Sequence, residues 1–351
     1  MSFYKIKMIK MLKSKWIIIL LLFLFILILC EKKSDQPDHP NQLPPQEKYL
    51  KVIAEEPAWS PDGRMLAYKQ GDADKIWIFE LASEKKWYVV DGMHPRWSPD
   101  GTRIGFTKPW VGGIYTINLG DSTIDTIISD PDRSIFAFDW SPDGEKICFD
   151  NHGGYSPFGF VVCNQDGSNW QPLSEKMGNR PDWSPDGNRV LGLGDRGVAF
   201  INSDGIGYTH LISVPSMDTP PGFLCEYWMF DYPIWTHDGE EIIWTIIGVR
   251  DSGKLDTLPH IPENDSIYSY ITVSLWIMDS NGKNVRLLLG DTLFSSSAFR
   301  CYEAAVSPDG RYIAFACDAP VEITDTLVWR VKNIWIANID GSNPRPLLPE
   351  N

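Results

Sequence analysis

Trp97-Ser98-Pro99-Asp100-Gly101, running on into Arg103-Ile104-Gly105-Phe106, is the stretch that decides the fold. Pro presets φ at the second turn position, Ser and Asp bond nearby backbone amides, and Gly takes the left-handed position, so the chain reverses on the spot. The residues beyond the turn alternate and are rich in strand formers. The same phrase recurs at Trp59-Ser60-Pro61-Asp62-Gly63, Trp140-Ser141-Pro142-Asp143-Gly144 and Trp183-Ser184-Pro185-Asp186-Gly187. Two looser copies follow, Trp235-Thr236-His237-Asp238-Gly239 and Val306-Ser307-Pro308-Asp309-Gly310.

Each copy opens a unit of the same plan. A second strand leaves the turn (Met65–Tyr68, Lys146–Phe149, Tyr312–Phe315), and a third follows (Ile76–Phe79, Ile114–Ile117, Leu275–Met278, Ile334–Ala337). Then comes a hairpin turn such as Asp166-Gly167, Asp204-Gly205, Asn281-Gly282 or Asp340-Gly341, and a fourth strand such as Arg286–Leu289 or Arg345–Leu348. Four antiparallel strands repeated six times predict an all-β, six-bladed β-propeller over residues 48–351. Successive anchors lie 38, 43, 43, 52 and 71 residues apart, so the first three intervals are bare blades and the last two carry insertions. The anchor Trp residues are expected between adjacent blades. The stretch Tyr49–Ala54 is expected either to add a strand to the last blade or to leave that blade complete by itself.

The 351 residues are 43% hydrophobic and include 15 Trp, ample for one large core. A formal net charge of −14 repels phosphate backbones, so nucleic acid is not an expected partner. Residues 1–30 read as an export signal. Lys5, Lys7, Lys10, Lys13 and Lys15 precede an apolar run from Trp16 to Leu29, short for a membrane span and suited to a signal-peptide core. Cys30 follows directly, as in a bacterial lipobox, where cleavage leaves the Cys as a lipidated N-terminus. Leu29 stands where a small residue is usual, which leaves an uncleaved anchor as the second reading; ordinary secretion is the third. All three place the remainder outside the cytoplasm of a bacterium, in the periplasm or on the cell surface. Residues 31–47, polar and holding Pro37, Pro40, Pro44 and Pro45, read as a tether.

Of the other cysteines, Cys148 and Cys163 sit inside strand patterns as small buried residues. Cys225 and Cys301 form the first-choice disulfide. No Cys or His spacing suits a metal, and no cofactor is expected.

The turn-and-strand phrase, together with Ile334-Trp335-Ile336-Ala337-Asn338-Ile339-Asp340-Gly341, resembles the TolB-type propeller repeat over roughly residues 50–349. Such repeats occur in TolB, in the propellers of prolyl oligopeptidases, in oligogalacturonate lyases and in lipoproteins. The resemblance therefore implies a fold and leaves activity open. TolB proper carries an α/β domain ahead of its propeller, where this chain has a short tether. No Gly-x-Ser-x-Gly motif supports a peptidase.

Topology puts the Ser-Pro-Asp-Gly turns on one face and the insertions on the other: Asn151–Phe158, Val214–Tyr232, Val249–Ile271, Gly290–Glu303 and Asp318–Lys332. Functional residues collect on such loops. Within the second insertion, Tyr227, Trp228, Phe230 and Tyr232 are either a stacking platform for a sugar or a partner's side chain, or a small satellite core. Three residues before the anchors stand Glu56, His94, Ala137, Arg180, Tyr232 and Glu303. Of these Glu56, His94, Arg180 and Glu303 either converge on a cation or small polar ligand, or simply line a wet channel. The expected function is a membrane-tethered, non-catalytic protein-binding module of the cell envelope with an envelope protein as partner. The alternative is a glycan-binding protein or a saccharide-active, lyase-like enzyme working at the channel mouth; a purely structural envelope component is a third.

Overall fold

The computed structural model describes residues 46–348, apart from 72–73, 109–110, 131–133, 153–158, 195–196, 214–226, 251–269, 291–299 and 324–326. Cys30, Cys225 and residues 1–45 lie outside the described residues.

Six blades of four antiparallel strands follow one another along the chain; five are ordered strand one to strand four from one edge to the other, and the sheet of the sixth carries a fifth strand. Blade 1 holds β2 (Glu55–Trp59), β3 (Met65–Lys69), β4 (Lys75–Glu80) and β5 (Lys85–Asp91). Blade 2 holds β6 (Met93–Trp97), β7 (Arg103–Lys108), β8 (Val111–Asn118) and β9 (Ile124–Ser129). Blade 3 is β10 (Phe138–Trp140), β11 (Lys146–Asn151), β12 (Gly159–Asn164) and β13 (Gln171–Ser174), and blade 4 is β14 (Met177–Trp183), β15 (Arg189–Gly194), β16 (Gly197–Asn202) and β17 (Thr209–Ser213). Blade 5 comprises β18 (Tyr227–Trp235), β19 (Glu241–Arg250), β20 (Tyr270–Asp279) and β21 (Arg286–Leu289). Blade 6 comprises β22 (Arg300–Val306), β23 (Tyr312–Ile323), β24 (Leu327–Asn338) and β25 (Arg345–Pro346). The six-bladed propeller read from the repeat is the fold observed.

Ring closure combines the two expected alternatives. Blade 6 has its own short fourth strand, β25, on the end of β24. The first described strand, β1 (Gln46–Val52), pairs in parallel with the beginning of the same strand, from Gln46 opposite Leu327 to Val52 opposite Lys332. The first and last described strands, β1 and β25, therefore both pair with β24.

The Ser-Pro-Asp-Gly turns make a second closure. In each, the Ser or Thr hydroxyl donates to the Asp two residues on, at 2.6 Å for Ser60 and Asp62, and the Gly N–H returns to the Ser carbonyl at 2.9 Å. The hydroxyl bond holds the Asp62, Asp100, Asp143, Asp186, Asp238 and Asp309 carboxyls below the usual range. The glycines sit at φ 68–74°, which costs any other residue strain. Each abuts the preceding blade's turn: a Cβ on Gly101 would lie 3.7 Å from Pro61, one on Gly144 3.8 Å from Pro99, and one on Gly63 3.7 Å from Pro308. The last contact brings blade 6 back to blade 1.

The core lies between blades, as the anchors require. Trp59 packs with Leu66 and Tyr68 of its own blade and with Ala314 and Ile334 of blade 6. Trp97 packs with Ala67 and Ile78 of blade 1. Burying five such indoles, at about 25 cal/mol per Å² of apolar surface, supplies the inter-blade adhesion that a repeat of small sheets needs.

On the opposite face the structure corrects part of the insertion map. Tyr227–Tyr232, Arg300–Glu303 and most of Asp318–Lys332 are strand, not loop. β19 and β20 run ten residues each, and β23 and β24 run twelve. Two long hairpins thus raise this face over blades 5 and 6.

Candidate functional site at the channel mouth

Five of the innermost strands share one distortion. Between Glu55 and Ala58, Met93 and Arg96, Asn179 and Asp182, Asp231 and Ile234, and Tyr302 and Ala305, the inner strand has one residue more than its neighbour. Such a bulge leaves a residue unpaired and bends the strand. The bulge residues are Glu56, His94, Arg180, Tyr232 and Glu303, all with φ between 48° and 57°. In four of them the next residue is Pro (57, 95, 181 and 233), which has no N–H to lose where the ladder breaks. The left-handed conformation brings all five side chains to one cavity. The constant sequence offset thus places five of its six residues around one cavity, with one exception. Ala137 has no left-handed backbone; the carboxylate of Asp150 takes the N–H groups of Phe136 (2.8 Å) and Ala137 (2.9 Å) instead.

The side chains are mostly spent on each other. Glu56 N–H donates to Glu303 Oε2 at 2.8 Å, and His94 N–H donates to Glu56 Oε2 at 2.6 Å, so a carboxylate on blades 6 and 1 fastens the next blade. One layer deeper the same device recurs: Asp139 accepts the Trp183 N–H (2.8 Å), and Asp182 accepts the Trp235 N–H (2.7 Å). Arg180 donates to the Tyr232 hydroxyl at 2.5 Å, with its guanidinium 3.9 Å from that ring's centre and Nε 3.7 Å from Asp231. Arg96 stands 4.0 Å from Asp139.

Burial governs the charges. It raises Glu56, and with the Glu56 charge beside it lifts Glu303 to about 7. It lifts Asp139 to about 6 and Asp182 well above the usual carboxylate range, Asp139 adding to the latter. His94 is neutral although Glu56 Oε1 is 3.2 Å from its Nε2, because burial, Arg180 and Arg96 hold it to about 3. Its Nε2–H donates to Glu56, and Nδ1 accepts from the Thr107 hydroxyl at 3.0 Å.

What remains open between these groups is about 20 Å³, room for a single water. Beside it, between blades 5 and 6 and under the raised hairpins, lies a cleft of about 370 Å³. Tyr232 and Glu303 belong to both. Ile247 and Val273 form an apolar wall in the cleft, and Arg300, Lys332 and Thr245 bring polar groups to it. The Thr245 hydroxyl is fully buried without a hydrogen-bond partner.

Tyr227, Trp228 and Phe230 stand in the first half of β18, opposite Val249, Gly248 and Ile246 of β19. Their side chains lie outside the described residues. Tyr232 belongs to the channel ring rather than to a separate aromatic platform. Among the described residues no three His, Cys, Asp or Glu side chains gather as metal ligands. Sequence reasoning missed Asp139 and Asp182, although both stand one residue before an anchor Trp. It also missed Thr245, Arg300 and Lys332, which only the packing of two blades brings together.

Residues 48–223 match the family model described as the TolB beta propeller domain. Among solved structures, a putative TolB from Agrobacterium tumefaciens is similar at 17% identity and a TM-score of 0.53, over 78% of this chain and 88% of that one. TolB from Acinetobacter baumannii is similar at 16% identity and 0.52, over 84% of this chain and 62% of that one. Oligogalacturonate lyase from Vibrio parahaemolyticus is similar at 10% identity and 0.52, over 85% and 78%. At these identities the likeness is one of fold. No curated protein is similar enough to match.

Proposed function

This chain belongs to the TolB β-propeller domain family, and on that footing we propose that it is a membrane-tethered, extracytoplasmic docking module of the cell envelope, without catalytic activity. One observation carries the reading. The polar side chains at the channel mouth are engaged in holding blade to blade, and they leave about 20 Å³, too little for any sugar or peptide. The space that accepts a partner is the cleft of about 370 Å³ between blades 5 and 6. Its apolar wall and buried polar groups suit an inserted side chain of a protein, the usual anchor of a tight interface. The export signal and Cys30 supply the tether, and the acidic surface excludes phosphate-rich partners.

A photo-crosslinking residue placed at Val273 of the full chain, compared with one at Thr102 on the turn face, tests the docking face in intact cells. Discrete protein adducts from position 273 alone support the reading. Adducts from position 102 alone would move the docking site to the turn face. Metabolic labelling with a fatty acid, lost in Cys30→Ser, tests the tether.

A second reading has one observation of its own. The cleft is lined by both donor groups (Arg300, Lys332, Thr245) and acceptor groups (Asp231, Asp318), a mixture that suits a saccharide's hydroxyls. Binding on a glycan array, abolished by Val273→Trp, would favour it.

A further inference from the structure

Four cysteines are described, and all four are buried thiols. Two of them, Cys148 and Cys163, are one register step apart: Cys148 stands opposite Val162, and Cys163 opposite Ile147. Side chains one step apart in register leave opposite faces of a sheet. Accordingly Cys163 packs with Phe149 and Trp140, whereas Cys148 packs with Phe160 and Trp183. This pair cannot meet.

Cys301 and Cys317 differ in every respect. They are direct partners across β22 and β23. Both enter the same apolar cluster between blades 5 and 6, with Leu275, Ile313 and Phe315. Their Sγ atoms lie 3.8 Å apart. Opposed residues of an antiparallel pair have Cα atoms about 4.5 or 5.5 Å apart. Both values lie inside the roughly 4.4–6.8 Å window a disulfide accepts. Bonding requires the two sulfurs to close from 3.8 Å to the roughly 2.05 Å of a disulfide.

We propose that Cys301 and Cys317 are the disulfide-forming pair of this propeller, in place of the Cys225–Cys301 bond expected from the sequence. The chemistry is thiol–disulfide exchange with a low-molecular-weight or protein disulfide as the oxidant. The thiolate of one cysteine attacks a sulfur of that reagent, forming a mixed disulfide and expelling one thiolate. The second cysteine's thiolate then attacks the mixed disulfide at the protein sulfur, closing the Cys301–Cys317 bond and expelling the second reagent thiolate. The two protons leave with the expelled thiols, and the reagent is reduced by the two electrons the protein gives up. At 3% and 1% exposure neither sulfur is open to a reagent in the folded blade. The exchange therefore takes place before β22 seats against β23. The pair fastens the innermost strand of the closing blade to its neighbour, next to the bulge that presents Glu303.

Trypsin separates the two residues cleanly. Cleavage after Arg300, Arg311 and Arg330 leaves Cys301 in peptide 301–311 and Cys317 in peptide 312–330, while Cys225 falls in peptide 197–250. The full-length chain is refolded in a glutathione/glutathione-disulfide buffer, alkylated under denaturing conditions without reductant, digested and read by mass spectrometry. The expected species is 301–311 joined to 312–330, lighter by two hydrogens than the separate peptides. It should survive in Cys225→Ser and vanish in Cys317→Ser, where peptide 301–311 carries one alkyl group. Recovery of both peptides alkylated, or of 301–311 joined to 197–250, would overturn the proposal. Because the assay uses no partner, its outcome is independent of the docking reading.

Discussion

The backbone N–H of Glu56 reaches the carboxylate of Glu303, 247 positions later in the chain, at 2.8 Å. This bond spans the seam between the first blade and the last, and both residues sit on strand bulges in the left-handed conformation. Each carboxyl is buried, and their protonation is tied to the integrity of the ring.

That burial sets the first prediction, a dependence of stability on pH. Glu303 is raised to about 7 and Asp139 to about 6 in the folded protein, against about 4.3 and 3.9 for unfolded chains. Acids with raised pKa values bind more protons when folded. Their contribution is fully present below about pH 4 and is lost as pH rises through 6 to 7. Urea denaturation at pH 5 and pH 8 should show the propeller more stable at the lower pH by about 2–3 kcal/mol from Glu303. Glu303→Gln should flatten that slope.

Asp182 accepts the Trp235 N–H with one oxygen. Asp182→Ala leaves that N–H buried and unpaired and should cost about 1–3 kcal/mol. Asp182→Asn retains an acceptor, removes the unfavourable charge, and should cost less than half as much. Chemical denaturation of the two variants side by side is the measurement.

Gly101 lies at φ 71° with Pro61 of the preceding turn against it. Gly101→Ala should destabilise by about 1–2 kcal/mol through backbone strain, and Gly101→Asn by less, since Asn tolerates that region. Thermal unfolding distinguishes strain from lost packing: the built Cβ contact is an ordinary 3.7 Å, so a larger loss for Asn than for Ala would contradict this account.

If Cys301 and Cys317 are bonded, 15 residues lie within the loop they close. Reduction, or the double substitution to Ser, should then lower stability by about 3 kcal/mol. A thermal scan with and without reductant shows this directly.

The architecture was legible because its signals are local. A Ser-Pro-Asp-Gly turn forms for reasons contained in four residues, and six copies leave little choice of fold. The channel ring was legible for a related reason: a constant offset from the anchor places Glu56, His94, Arg180, Tyr232 and Glu303 at equivalent points. That the ring is closed upon itself was not legible. It follows from the bulge, whose sequence trace is the Pro after four of these residues, and from carboxylates reaching across to a neighbouring blade. The cleft was hidden more deeply still. Thr245, Arg300 and Lys332 meet only because two hairpins overrun their blades by several residues, and strand length beyond a repeat is poorly marked in a β-rich insertion. That Cys317 stands opposite Cys301 was hidden for the same reason: the sequence reading ended that strand at Phe315, and β23 runs on past it.

β1 precedes blade 1 in the chain yet lies along β24 of blade 6, parallel to it, with Gln46 opposite Leu327. Mechanical load entering the propeller at Gln46 is thus delivered first to the last blade. A parallel strand drawn along its own axis is loaded in shear, with its hydrogen bonds bearing tension together instead of parting one after another. A propeller held by its leading segment is in this way anchored through its seam, and the same pull that would tear an ordinary terminal strand away here engages the edge that closes the circle.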